Sequence, residues 1–305
     1  MKFAAIDLGS NAVRLLICHV HHQLSEKPIF KKGSLVRVPL RLGEDAFCLG
    51  ALQPQTIERL VKTMQAFKLL IEVEEPIAYR ACATSALREA KNTPEVIARV
   101  FSEAGLKIDV ITGDEEAQLI YENHIEENLD PDKVYMYIDV GGGSTELTLY
   151  SDRQRIASRS FDIGTVRILA NQVHAAHWSA LKDWILEKTR NIDQPIYGIG
   201  SGGNINKLRG MTVGKRGNKP ITYEQLKNIY EIVSKATFEE RMELLGLNPD
   251  RADVIVPACE IYFAVMETAN IEKVYVPEVG LADGIVHLLY SDYCRSVSEL
   301  GIVVQ

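Results

Sequence analysis

What most limits the fold open to this chain is a motif that occurs twice. Near the N-terminus an apolar run over residues 3–6 ends in Asp7-Leu8-Gly9-Ser10-Asn11, and a second apolar run follows over residues 13–18. The order returns later: residues 134–138 lead into Asp139-Val140-Gly141-Gly142-Gly143-Ser144-Thr145, and residues 146–150 resume an extended pattern. Each copy reads as a β-hairpin with a polar turn between two buried strands. Asp7 and Asp139 stand 132 residues apart, too far for a solenoid repeat and suited to duplication of a whole domain. A chain of 305 residues with 46% hydrophobic residues holds enough apolar material for two domains and is too long for one core.

Between and after the hairpins the apolar spacing changes. Residues 56–71 place Ile57, Leu60, Val61, Met64 and Phe67 at helical spacing, and Pro76 ends that helix before an extended Ile77-Ala78-Tyr79. Thr84-Ser85 can cap a helix carrying Leu87, Arg88 and Glu89, a further helix runs over 94–101, and a strand over 107–112 stops at Gly113. Asp114 is the expected N-cap of the next helix, with Glu115 and Glu116 in its first turn and Ala117, Ile120, Tyr121, His124 and Ile125 on one face. Later come a glycine turn over 198–203, a Thr222-x-x-Gln225 capping box, a helix over 251–269, a strand over 273–276, and a last helix after Gly280. Strands alternating with helices predict an α/β protein. The polar stretch over 126–132 is the expected linker, giving domains 1–128 and 129–305, with the last helix a candidate to pack back on the first.

Composition removes several function classes. A net charge of −7 argues against non-specific nucleic-acid binding, which needs clustered Lys and Arg. No apolar run approaches the roughly 18 residues that span a bilayer, and Asp7 interrupts the N-terminus before a signal sequence could form, so no membrane partner is expected and the cytoplasm is the expected location. The five cysteines are scattered and never paired as C-x-x-C, which suggests neither a disulfide framework nor a thiolate metal site. His19, His21 and His22 invite a metal reading, but no acidic or Cys partner lies nearby in sequence.

The turns themselves suggest chemistry. A strand that stops at Asp and turns on glycines bares backbone N–H groups that phosphate oxygens can approach, and the carboxylate can take up hydrated Mg²⁺. One such turn is an ordinary hairpin connection; two, heading two similar domains, are harder to explain as turns alone. For other residues spacing leaves two readings open. Glu116 suits the positive end of a helix, an effect of about 0.3–1 kcal/mol that needs no catalytic role. Glu146 alternates with Leu147 and is either beside Asp139 or an ordinary strand Glu; Arg88 is either a phosphate clamp or an exposed helix residue. Gly202 and Gly203 precede a short helix and form the weakest phosphate signal. Lys207, Arg209, Lys215, Arg216 and Lys219 are either a solvated loop or a landing strip for the distal part of a polyanion.

Four segments in order, Ala5-Ile6-Asp7-Leu8-Gly9-Ser10-Asn11, the 83–90 stretch around Arg88, Gly113-Asp114-Glu115-Glu116-Ala117 and the 138–146 turn, closely resemble the exopolyphosphatase / guanosine pentaphosphate phosphohydrolase (Ppx/GppA) family. The resemblance implies two RNase H-like domains of the actin-like, sugar-kinase and Hsp70 superfamily facing a central cleft. It implies Mg²⁺-dependent release of terminal phosphate from polyphosphate or pppGpp. On this likeness Glu116 is the base that deprotonates the attacking water, Asp139 and Glu146 hold the metal, and Asp7, Ser10, Asn11, Arg88, Gly141, Gly142, Gly143 and Ser144 contact phosphate, with Gly202 and Gly203 a further phosphate turn on their own glycine signal. The chain departs from the family pattern around Asn204 and at Ala282-Asp283. Rival readings are a phosphotransferase of the same superfamily and a silent regulator that binds (p)ppGpp or ATP. Chain-length preference and oligomeric state, a homodimer included, stay open.

Overall fold

Both Asp-bearing runs fold as hairpins in the computed structural model, which describes residues 1–21, 27–123, 130–212 and 219–299. The chain divides into two units, Met1–Asn123 with Gly280–Gln305, and His124–Val279.

In the first unit β1 (Lys2–Leu8), β2 (Val13–His21), β3 (Ile29–Val38), β4 (Ala78–Ala83) and β5 (Asp109–Val110) form one sheet of order β3-β2-β1-β4-β5. The β1–β2–β3 pairs are antiparallel and β1–β4–β5 are parallel. Phe3, Ala4, Ala5, Ile6 and Leu8 on the central β1 are fully buried, as a strand covered on both faces must be. The helices are α1 (Leu42–Leu49), α2 (Pro54–Glu74), α3 (Ser85–Glu89), α4 (Thr93–Ala104) and α5 (Gly113–Tyr121). The apolar stripe read in the sequence is the buried face of α2, which packs on α4. Each fully buried Leu, Ile or Phe on such a face contributes about 1.5–3 kcal/mol.

The second unit has one sheet of order β10-β11-β9-β6-β7-β8. Its elements are β6 (Val134–Val140), β7 (Thr145–Ser151), β8 (Gln154–Phe161), α6 (Thr165–Leu169), α7 (Ala175–Thr189), β9 (Ile196–Ser201), α8 (Gly203–Thr212), β10 (Ile221–Thr222), α9 (Tyr223–Lys235), α10 (Phe238–Glu243), α11 (Pro249–Ala252), α12 (Ile255–Thr268) and β11 (Lys273–Tyr275). Its core joins Met136, Ile138, Leu147 and Leu149 on the sheet to Leu181, Ile185, Ile261 and Val265 on α7 and α12. The last described element is α13 (Leu281–Glu299), which packs on β1, β2, β4 and α5 of the first unit.

Several local expectations are corrected. The N-cap of α5 is Thr112, not Asp114: Thr112 Oγ1 accepts from Glu115 N at 3.2 Å while Glu115 Oε2 accepts from Thr112 N at 2.7 Å. The reciprocal pair satisfies two orphan donors, which a lone Asp114 does not. The helix expected over 251–269 is two, α11 and α12, because Pro257 in the first turn of α12 has no N–H and its ring excludes the carbonyl four residues back. Thr84 precedes α3 but makes no side-chain cap. The strand read over 107–112 narrows to β5. The third glycine turn is shorter than expected, since Gly198 and Gly200 lie within β9. A Cβ there would stand 2.8 Å from Val274 Cγ2 or 2.9 Å from Tyr262 Oη, so those glycines serve close packing. The Thr222–Gln225 capping box forms as read. His124, Ile125 and the start of the expected linker lie outside the described residues, as does His22. Among the described residues no helix is long and apolar enough to cross a membrane.

Candidate functional site

In the first unit the parallel strands bring their carboxyl ends together: Leu8 pairs with Ala83, and Ala83 with Val110. Open α/β sheets bind ligands at such ends, and the 9–12 turn, α3 and α5 all leave from here. Gly9 N donates to Ala12 O at 3.2 Å, and Arg41 N and Gly43 N donate to the carbonyls of Asn11 and Ser10 at 3.0 and 2.8 Å. The turn's carbonyls are thereby tied back toward α1. Ser10 is buried with its hydroxyl 2.9 Å from that of Ser85, the first residue of α3. One helical turn further on, Arg88 Nη1 donates to Ile111 O at 2.9 Å and lies 3.9 Å from Glu116 Oε2. The capping box at Thr112 sets the start of α5 and so carries Glu116, only 9% exposed, toward Arg88. The short helix α3 thus carries both contacts, Ser85 to Ser10 and Arg88 to Glu116. Asp7 sits one strand over from α3, its Oδ2 accepting from Arg14 Nη1 at 2.8 Å. Burial pushes the Asp7 carboxyl above the usual carboxylate range and Arg14 works against that shift.

In the second unit Asp139 pairs in register with Glu146 on β7 and with Ser201 on β9. Directly opposed residues of antiparallel strands share a face, so the two acids lie on one face of the sheet. Ser160 Oγ donates to Glu146 Oε1 at 2.7 Å. Asp139 Oδ1 lies 3.2 Å from where a Cβ at Gly202 would stand, and Gly202 has φ +98°; no side chain fits comfortably there. Tyr262 Oη, on α12, lies 3.2 Å from Ile138 O and 3.3 Å from Ser201 O, bracing β6 and β9 at this end. Like charges directly opposed are destabilising unless a cation lies between them. Mg²⁺ binds through one or two carboxylates and keeps several waters for exchange with phosphate. It therefore suits this donor pair; among the described residues no group of three or more His, Cys, Asp or Glu gathers to form a fuller cage.

The turn after Asp139 is held from one side. Gly141 N donates to Ser144 O at 3.0 Å, repeating the bond between Gly9 and Ala12. The carbonyl of Gly141 accepts from Thr165 N at 3.1 Å, and that of Gly142 from Val166 N and Arg167 N at 2.8 and 3.1 Å. Gly143 O accepts from Arg167 Nε at 2.8 Å. Gly164 lies so close behind the turn that a Cβ would come within 2.3–2.4 Å of the 142–143 backbone. Gly164→Ala is therefore expected to cost about 1–3 kcal/mol, the overpacking range, seen as a lowered Tm in a thermal melt. An unchanged Tm would mean that this contact gives way freely.

The two repeats differ at the position seven residues after each Asp. Asp7 opposes Arg14 across its hairpin, whereas Asp139 opposes Glu146 across the other. One copy sets a cation against its Asp; the other sets a second acid there, whose Oε1 accepts from Ser160 Oγ. Arg14 was findable in the sequence by that spacing, but no sequence signal singles out Arg167, which reaches the turn from 24 residues away.

The remaining candidates are less concentrated. Gly203 begins α8, and a Cβ there would overlap the Arg251 guanidinium, which donates to Asn204 Oδ1 at 3.1 Å. The landing-strip reading needs correction at Arg209: it is buried on α8, with Nη1 2.8 Å from Glu278 Oε1, so it is no solvent-facing cation. Lys207 Nζ donates to Gly246 O at 3.0 Å. Lys215 and Arg216 lie outside the described residues. Asp283, where the family pattern is departed from, caps α13 by accepting from Gly280 N at 3.0 Å and pairs with Lys32 at 2.8 Å.

Known proteins can be set beside this geometry. The model of the Ppx/GppA phosphatase family matches residues 26–292. Exopolyphosphatase 1 of Mycobacterium bovis is 24% identical over 311 residues, covering 94% of this chain and 87% of the relative. The guanosine-5'-triphosphate,3'-diphosphate pyrophosphatase of Vibrio cholerae is 28% identical over 304 residues, covering 95% of this chain and 59% of its own. The crystal structure of the Aquifex aeolicus Ppx/GppA family member superposes with a TM-score of 0.73 at 25% identity, covering 96% of this chain and 98% of that one. With two α/β units of this architecture and a family match that runs through most of both, the chain belongs to the Ppx/GppA phosphatase family.

Proposed function

We propose that this protein is a Mg²⁺-dependent phosphoanhydride hydrolase that releases terminal orthophosphate from inorganic polyphosphate, from pppGpp, or from both. The observation that carries the reading is the nearly buried Glu116 carboxylate held 3.9 Å from the Arg88 guanidinium at the carboxyl ends of parallel strands. A base and an anion-binding group at this spacing suit attack of water on a phosphoryl group. The names of the relatives, an exopolyphosphatase and a pppGpp pyrophosphatase, support the same bond type.

Glu116 takes a proton from water as the water oxygen bonds to the terminal phosphorus. The bridging P–O bond breaks, and its electron pair leaves with the shortened chain or with ppGpp. Arg88, anchored through Nη1 to Ile111 O, offers its remaining N–H groups to phosphoryl oxygens, where a planar fork binds best. Within the first unit the further phosphate contacts are Asp7, Ser10 and Asn11; the second unit carries its own set in the 141–144 turn, Gly202 and Gly203. Asp139 and Glu146 would hold Mg²⁺, which when bound neutralises phosphate charge.

The test is orthophosphate release from polyphosphate, pppGpp and ATP, with Mg²⁺ or with EDTA. Release from polyphosphate or pppGpp that stops in EDTA is expected. Transfer to an acceptor other than water would identify a phosphotransferase instead, and binding without turnover a regulator. Glu146→Gln should raise the Mg²⁺ concentration for half-maximal activity by at least the roughly 10–100-fold seen when a metal ligand loses its supporting partner; no change would remove Glu146 from the metal site.

A further inference from the structure

A run of three glycines has no preferred peptide orientation, since each samples positive and negative φ about equally. A phosphate cradle made of such a run needs its peptide planes fixed from outside. In a trans peptide the C=O and the following N–H point in opposite directions, so whatever holds a carbonyl also aims the next amide. The start of α6 holds three carbonyls in succession: Gly141 O by Thr165 N, Gly142 O by Val166 N and Arg167 N, and Gly143 O by Arg167 Nε. The N–H groups of Gly142, Gly143 and Ser144 must then point away from α6.

The first two planes are held by backbone, and Gly164 presses on them from behind. The third depends on a side chain. Arg167 is 7% exposed, its Nε on Gly143 O and its Nη2 3.8 Å from Asp162 Oδ1, so the guanidinium is held between the turn and Asp162. We propose that Arg167 is a positioning residue for an anion subsite formed by the amides of Gly142, Gly143 and Ser144, and that its Nε–H sets the Ser144 amide toward phosphoryl oxygen. The proposal rests on the phosphate reading of this turn. If Arg167 releases the Gly143 carbonyl, the 143–144 peptide can flip and present oxygen, not N–H, to the anion.

Two substitutions separate positioning from packing and charge. In Arg167→Gln the side-chain amide nitrogen occupies the place of Nε and still donates; in Arg167→Met a methyl group takes that place and nothing donates. The probe is inorganic orthophosphate titrated into the full-length protein labelled with ¹⁵N at glycine and serine. Amide shifts of Gly142, Gly143 and Ser144 and the orthophosphate Kd are the readouts. Wild type should show all three shifts. Arg167→Gln should retain the Ser144 shift with a Kd within a few-fold of wild type. Arg167→Met should lose the Ser144 shift and bind about 10–100-fold more weakly, the value of one hydrogen bond to a charged group.

Loss of the Ser144 shift in Arg167→Gln would show that the charge matters and not the donor, and would overturn the proposal. So would an unchanged Kd in Arg167→Met, or a wild type whose Ser144 amide ignores orthophosphate. If Arg167→Met fails to fold, the comparison of Arg167→Gln with wild type still decides. None of these readouts needs turnover: orthophosphate seated on these amides in a protein that hydrolyses none of the tested substrates would sink the functional reading and leave this one standing.

Discussion

Glu116→Gln should lower kcat for orthophosphate release by about 10²–10⁴ with KM little changed, because a general base is worth that much and Gln keeps the shape of the side chain while losing its basicity. The decisive comparison is with the adjacent acid. Glu115 lies in the same first turn of α5, but its carboxylate accepts from Thr112 N at 2.7 Å. That backbone hydrogen bond holds its carboxyl below the usual carboxylate range, where it is a poor proton acceptor. Glu115→Gln can still accept the capping bond and should leave kcat within a few-fold of wild type. Glu116, by contrast, is nearly buried and next to Arg88. Full activity in Glu116→Gln, or an equal loss in both variants, would refute the assignment of the base.

The second large effect is expected far from any substrate atom. Gly284 lies in the first turn of α13, and a Cβ there would stand 1.7 Å from Leu119 O and 2.7 Å from Leu119 C on α5. Both obstacles are backbone, so no rotamer change relieves them. The two helices are also joined by Asn123 Nδ2, which donates to Gly280 O at 3.2 Å, and the capping of Gly280 N by Asp283 fixes where α13 begins. Gly284→Ala must therefore push α13 off α5, at a cost of about 3 kcal/mol or more, the upper end of overpacking. Leu119 follows Glu116 by three residues on the same helix, so kcat should fall together with stability. A urea or thermal melt reports the first and orthophosphate release the second. A Tm within a degree of wild type would show that the contact is softer than its geometry implies.

The repeated hairpins, the apolar face of α2 and the capping box at Thr222 were all legible in the sequence. Each is set by residues a few positions apart, whose spacing already states the geometry. The Thr112 cap was legible too: Thr112-Gly113-Asp114-Glu115 has the capping-box spacing, but Asp114, itself a capable cap, places the expected start two residues too late. Glu116 needed more than spacing, since an acid at a helix start is favourable whatever its use; likeness to a family, not physics, singled it out. The landing strip shows the opposite limit. Its cations were counted correctly, yet Arg209 is consumed by Glu278 from 69 residues away, a distance over which composition carries no information.

The chain's own order of residues determined that two copies of a strand–Asp–glycine turn–strand unit would form 132 residues apart, because alternation and turn chemistry act locally. Their pairing partners, Arg14 and Glu146, stand seven residues after each Asp and are equally local; what holds each turn is decided by tertiary structure. Strand register set Arg14 against Asp7 but Glu146 against Asp139, so one carboxylate faces a cation across its hairpin and the other faces a second acid. Packing of α6 against the glycine turn, through Gly164 and Arg167, decided which way its amides face, since a peptide plane in a glycine run takes its direction from whatever holds its carbonyl.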